Sequence, residues 1–383
     1  MQSCGEFTIG SGNTIGGSGQ ENSWPLTINI GSGPSAASSG NIPTSGNTNN
    51  AIQVYAGSST ASVTWPDVNL DYVVTSNPTI SAGGTLDIED GVNVKFNSGQ
   101  SMNIFGTLTA VGTPGTGILF TRTAASDWNG LYFQSGGRGT FDYCTMEYAS
   151  FGIRTHAGTD TVFISHCSVE NNDNGIHAAG GVLSFINNEI INNMDYGIYL
   201  EGAIPASFGS SLSEWNDIYG NGDGSEGRDL CNGTLDTYAP YVYWGTINSP
   251  EINTRIWDIQ DDIALGAVCY APWSNAAHDQ TAAVWLNVEL DNGAKSSSGD
   301  MYLDWTDYCG AEGVDHYVVY RSTVPEVKGD SLAGTTDGWY VDVGAAGTVG
   351  TNYYYTVEVV DGVGSRFDSN QMGEFDIELT NEM

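Results

Sequence analysis

Between residues 140 and 200 the chain nearly repeats its own spacing of apolar and polar positions. Cys144-Thr145-Met146-Glu147 leads to Gly152-Ile153-Arg154, and Cys167-Ser168-Val169-Glu170 leads to Gly175-Ile176-His177. Asn188-Glu189-Ile190-Ile191 leads to Gly197-Ile198-Tyr199. The openings lie 23 and 21 residues apart (167 − 144 and 188 − 167), and the Gly-Ile pairs 23 and 22 apart. Repeats of about 20–50 residues mark solenoids or propellers. Within each copy the alternation has the two-residue period of a strand, with no helical pattern. A coil this short and rich in Gly and Asn predicts a parallel β-helix.

The same short strands begin upstream. Tyr72-Val73-Val74, Thr85-Leu86-Asp87-Ile88, Val92-Asn93-Val94-Lys95-Phe96 and Met102-Asn103-Ile104 are alternating runs broken by Gly. Downstream, Asn216-Asp217-Ile218-Tyr219 reads as a further coil after an insertion near residues 203–213. Pro250 with Ile252, Ile256 and Ile259 predicts a short amphipathic helix over 250–262, closing the end of the rod. Residues 1–63 are Gly, Ser, Asn and Thr with apolar islands such as Leu26-Thr27-Ile28-Asn29-Ile30. They read as an arm whose islands could add to a neighbour's sheet edge or fold back on the same subunit. The rod spans 64–280. Residues 281–383 carry regularly spaced strands, including Tyr317-Val318-Val319-Tyr320 and the run from Tyr353 to Asp361, and predict a β-sandwich.

Gly84-Thr85-Leu86-Asp87-Ile88-Glu89-Asp90-Gly91-Val92-Asn93-Val94-Lys95-Phe96 resembles the opening coil of secreted bacterial right-handed parallel β-helix repeat proteins. Trp128-Asn129-Gly130-Leu131, the Gly-Ile coils and Tyr243-Trp244-Gly245-Thr246 fit the same family, over about residues 65–275. The resemblance implies fold and secretion, while the family hosts lyases, hydrolases, adhesins and structural proteins alike. The C-terminal segment resembles a fibronectin type III domain, with Trp305 as core tryptophan and Tyr353 as corner tyrosine.

Composition narrows the partners. Ten Lys and Arg stand against 45 Asp and Glu, for a formal charge of −35. Such a surface repels nucleic acid and anionic membranes. No run of apolar residues is long enough for a membrane helix. Met1-Gln2-Ser3-Cys4 is not followed by the apolar core of a signal peptide, so an extracellular protein is expected with its export signal missing from this chain. The six cysteines lack CxxC spacing. Cys144 and Cys167 fall at equivalent coil positions, as a thiol ladder or a disulfide; Cys231 and Cys269 are the better disulfide candidates.

Aligning the coils places Arg154, His177, Tyr199 and Asp229 in one outward stripe, with Glu147 and Glu170 as a second equivalent pair. A glycan could lie along either. A lyase needs a cation and a base, which Arg154, His177 and Tyr199 could supply; a hydrolase needs two carboxylates, such as Glu147 and Glu170. No Lys lies between Lys95 and Lys295, and the aspartate-rich set of polygalacturonase-like enzymes is missing. No catalytic residue is therefore assigned. The acidic loop with Asp223, Glu226 and Asp229 is a calcium candidate, as is Asp258 with Asp261 and Asp262, and no other cofactor is expected. The expectation is an extracellular structural or adhesive protein, not an enzyme, self-associating into a filament partly through its arm. The alternative is a polysaccharide lyase, glycoside hydrolase or glycan-binding rod.

Overall fold

The computed structural model describes residues 5–11, 15, 22–222, 228–278, 283–284, 292–295, 299–305, 314–345, 351–362, 364 and 366–374. The chain divides into two compact units, one from the N-terminus to Cys269 with Trp273–Ala283, the other Tyr270–Pro272 with Val284–Met383.

The first unit is a parallel β-solenoid of about ten turns, built from three sheets. Sheet I has ten strands, from Leu26–Ile28 through Cys144–Glu147, Ser168–Glu170, Asn188–Ile191 and Asn216–Tyr219 to Val242–Tyr243. Sheet II has nine, from Gly57–Ser59 through Trp128–Phe133, Ala149–Thr155, Asn174–Ala178, Tyr196–Leu200 and Arg228–Cys231 to Ile256–Trp257. Sheet III has seven, from Ser62–Trp65 to Ala206–Ser207. Like positions stack in register. Met102, Leu131, Ile153, Ile176, Ile198, Leu230 and Ile256 form one inward row, each at most 3% exposed.

Two polar ladders fix the corners around sheet I. At the corner leading into it, the Cys144 N–H donates to Cys167 Sγ, Cys167 N–H to Asn188 Oδ1, and both Asn188 nitrogens to Asn216 Oδ1. At the corner into sheet II, Asn172 donates to Asn193, Asn193 to Asn221, and Asn221 to Asp229. Before most of these corner positions the backbone turns left-handed, at Tyr143, His166 and Asn187 on the first corner and at Tyr148, Asn171, Asn192 and Gly220 on the second, whereas Trp215 before Asn216 has φ −54. Cys144 and Cys167 are thus free buried thiols in a ladder. Burial and the neighbouring Cys167 hold the Cys144 thiol above its usual range.

The segment read as an arm folds back in cis over its described part. Leu26–Ile28 and Ile52–Val54 pair in register as the first two strands of sheet I. Ser32–Pro34 lies on Ser62–Trp65, whose Trp65 Nε1 donates to the Ser32 carbonyl. Despite the Gly and Ser content, Ile28, Ile30, Ile52 and Val54 of its apolar islands are buried. The closing helix is shorter than expected, Ser249–Asn253. Ile252 and Ile256 are buried, Ile256 in a sheet II strand, while Ile259 is 43% exposed.

The second unit contains antiparallel sheets: Asn292–Lys295, Met301–Asp304 and Trp339–Asp342 in one, and Asp330–Thr335, Val314–Ser322, Tyr353–Asp361, Arg366–Asp368 and Met372–Glu374 in the other. Trp305 is in its core with Tyr317, Tyr355 and Val357. The tyrosine with a buried, hydrogen-bonded hydroxyl is Tyr355, 2.9 Å from Asp342, not Tyr353, whose ring lies under Arg321.

Asn193→Ala would strip the acceptor from both Asn172 nitrogens and the donor from the Val169 carbonyl. Chemical denaturation should show a loss of about 3 kcal/mol. Asn49→Ala, at an exposed position, should stay within about 0.5 kcal/mol of the parent.

Candidate functional site

Sheet II strands share an out-in-in-out pattern: Phe151-Gly152-Ile153-Arg154, Asn174-Gly175-Ile176-His177, Tyr196-Gly197-Ile198-Tyr199. The glycine makes room for the ladder. A Cβ on Gly175 would run into the Gly197 carbonyl oxygen and Asn193 Nδ2. The two outward positions then form two rows. One runs Tyr132, Arg154, His177, Tyr199, Cys231, Trp257, and the other Phe151, Asn174, Tyr196, Arg228.

These rows make a half-buried aromatic stripe about 24 Å long over six strands, at about 4.8 Å per strand. The His177 ring is 4.8 Å from Tyr199 and 5.6 Å from Phe151, and Tyr196 stacks on Tyr199 at 5.3 Å. The Arg154 guanidinium lies 4.6 Å above Phe151 and 6.0 Å from Tyr132. Burial lowers the His177 pKa, a hydrogen bond with Glu201 opposes the shift, and the Arg154 charge adds to it. Burial raises that of Tyr199. At neutral pH the row therefore presents a cation beside a neutral imidazole and neutral phenols.

Arg154, His177 and Tyr199 do share one row, but Asp229 does not. The register pairs Tyr199 with Cys231, and Ile198 with Leu230. Asp229 stands one strand beyond Gly197, points inward at 1% exposure, and accepts from Asn221 as the last rung of the ladder. The acidic residue was read as outward because no Gly-Ile pair marks that coil. Burial pushes its pKa up to about 6, against the hydrogen bonds from Asn221 and the charge of Arg255.

Glu147 and Glu170 pair in register on sheet I, a different face. Of the calcium candidates, Asp223 and Glu226 lie outside the described residues, and the Asp229 carboxylate is occupied as above. Asp258, Asp261 and Asp262 accept backbone N–H groups within their own turn and from Val268. Among the described residues no group of three or more His, Cys, Asp or Glu is placed to hold a metal. The disulfide expectation fails for Cys231, a buried free thiol in the outward row of sheet II. Cys269 is disulfide-bonded, but not to Cys231.

A second arrangement lies at the corner into sheet I. A cleft of about 430 Å³ is lined by Tyr143, His166, Asn187, Glu189, Trp215 and His278, among others. Tyr143 stacks on His166 at 4.5 Å, and the Trp215 and His278 rings lie 4.5 Å apart, tilted by 33°. His278 Nε2 is 2.8 Å from Glu189 Oε1 and 3.1 Å from Asp217 Oδ2, and its backbone N–H also reaches Asp217. Burial raises Asp217 to about 7, with the His278 charge opposing. None of these residues, nor Tyr132, Phe151 and Tyr196, was singled out from sequence. Reading the residue before each ladder position would have found Tyr143, His166 and Trp215. The distant His278 leaves no repeat signal.

Residues 71–209 match the protein-family model described as "Right handed beta helix region". That segment is similar to right-handed β-helix repeats, and the parallel solenoid extends past the match on both sides. No curated protein matches it. This fold is common to adhesive or structural proteins and to polysaccharide-active enzymes, so the fold alone does not assign activity.

An acid whose pKa rises on folding holds its proton more tightly in the native state. Between the unfolded value, about 3.9, and about 7, Asp217 therefore makes stability fall as pH rises. Asp217→Asn removes that contribution. Its melting temperature should gain on the parent's from about pH 4 to about pH 7. A constant offset between the two curves would contradict the assignment.

Proposed function

We propose that the protein is a non-catalytic extracellular adhesive rod that holds an extended acidic polysaccharide along the aromatic stripe of sheet II. Arg154 carries the reading. In a chain with 45 Asp and Glu, its neighbours are the rings of Phe151 and Tyr132, and its Nε is buried without an acceptor. Lys95, Arg122, Arg138 and Arg255 instead each pair with carboxylates. Arg154 makes no ion pair among the described residues. An unpaired guanidinium within a row of ring faces fits a sugar chain bearing carboxylate or sulfate groups. The disulfide at Cys269 supports an oxidising compartment, hence an extracellular place. Self-association belongs to the same proposal. Leu26–Ile28 is the end strand of sheet I, and a second copy could pair with its outer edge.

One observation favours a lyase as the second reading: Arg154 and His177 are register neighbours, with the imidazole held neutral. Such an enzyme would release unsaturated, ultraviolet-absorbing ends from a uronate polymer, and His177→Ala would abolish them.

Affinity electrophoresis against acidic and neutral polysaccharides tests the leading reading. The parent should be retarded by an acidic polymer without shortening it. Tyr199→Ala should weaken binding by about 3–10-fold, and Arg154→Gln should remove the preference for the acidic polymer. No retardation across the panel, or retardation unchanged in both variants, would sink the reading.

A further inference from the structure

The corner leading into sheet I carries a row of side chains immediately before its ladder: Tyr143, His166, Asn187 and Trp215 precede Cys144, Cys167, Asn188 and Asn216. Three of the four are rings. Tyr143 and His166 are nearly parallel, 5° apart with centroids at 4.5 Å. Both take the left-handed backbone, at φ 49 and 48, and Asn187 takes it too, at φ 57. The third rung thus has the same corner geometry but no ring. The Asn187 amide is turned aside, donating to the Ser213 carbonyl at 2.9 Å. Trp215 follows, with the His278 ring 4.5 Å away and tilted by 33°, and His278 Nε2 on Glu189 of the third coil.

With rungs about 4.8 Å apart, His166 and Trp215 stand about 9.6 Å apart along the axis, with one ring missing between them. The cleft is at this place, and its volume of about 430 Å³ lies within the range of ligand pockets. Its floor is the outward row of sheet I, with Thr145, Ser168 and Glu189 in register. Glu189 is 37% exposed. Thr113 and Thr116 add hydroxyls, and among the described residues no Lys or Arg lines the cleft. The carboxylates of Asp142 and Asp217 sit behind the two histidines.

We propose that this cleft binds a pyranose carrying a free amine, an amino sugar. Its ring would occupy the third rung between His166 and Trp215, with its amine on Glu189. The aromatic rings lining the cleft suit the apolar face of a sugar, and the hydroxyl-lined floor suits a polyol. The acidic surroundings favour a cation and exclude uronates. The site is separate from the stripe of sheet II and does not depend on the function proposed for it.

Saturation-transfer NMR and titration on the full chain test this with glucosamine and N-acetylglucosamine, at about 0.15 M salt to screen diffuse attraction. Glucosamine should bind and its acetylated form should bind more weakly, with Glu189→Gln removing the difference. Asn187→Tyr is the decisive variant. Tyr143 shows that a tyrosine fits this left-handed corner, so the substitution should complete the row of rings. It should weaken glucosamine by at least about tenfold with little change in melting temperature. If it does not fold, Trp215→Ala should give the same loss. Absence of glucosamine binding overturns the proposal. So does equal binding of the two sugars, or binding that survives in a folded Asn187→Tyr but is lost in Tyr199→Ala.

Discussion

Stacked side-chain amides at the two corners of sheet I are the constraint on which the rod depends. A parallel β-helix has a generous apolar interior, but each corner exposes backbone N–H groups that the sheets do not pair. Asn172, Asn193 and Asn221 answer these groups one above another, each accepting from the rung below and donating to a carbonyl. Cys144, Cys167, Asn188 and Asn216 do so at the other corner, with thiols in the lower rungs. A coil slipped by one residue would bury an amide against hydrocarbon and leave its neighbours unpaired, at a cost of several kcal/mol. Hydrophobic rows make the coil compact, and the ladders set its register.

The surface chemistry follows from the same requirement. An amide in the interior needs space at the next strand, so glycine occupies positions 152, 175 and 197. The strand bends there, and two outward rows result where a regular strand would set a simple alternation. The aromatic stripe is therefore a by-product of the ladder's geometry, filled with rings and with the Arg154 guanidinium, which makes no ion pair among the described residues. The ladder ends where its space is no longer needed. Asp229 replaces glycine in the final repeat, accepts from Asn221, and is approached by Arg255 from the closing segment.

Sequence reasoning reached the rod because the ladder and the inward isoleucines both leave a repeat of 21–23 residues. It reached Arg154, His177 and Tyr199 because each follows an inward isoleucine. It lost the register at Asp229, where an insertion and the replacement of Gly-Ile remove both markers together. It left residues 1–63 open between adding to a neighbour and folding back, since in a Gly- and Ser-rich segment only a few buried aliphatic side chains per turn mark a coil. The cleft was out of reach for a different reason. His278 approaches Asp217 from 61 positions away, a distance in sequence that no periodicity reports.

The two outward faces of the solenoid differ in their distribution of charge. On sheet I, Glu147, Glu170, Glu189 and Asp217 lie on neighbouring strands, and burial together with Glu147 and Glu189 raises the pKa of Glu170. Thr121 and His278 take up part of that crowding. Sheet II has the opposite local sign around Arg154, whose charge helps to hold His156 and His177 neutral. In a protein so acidic overall, a site that is locally positive cannot arise from average composition. It requires a basic residue kept away from the many carboxylates available to it, and ring faces do this because they hold a guanidinium without neutralising it.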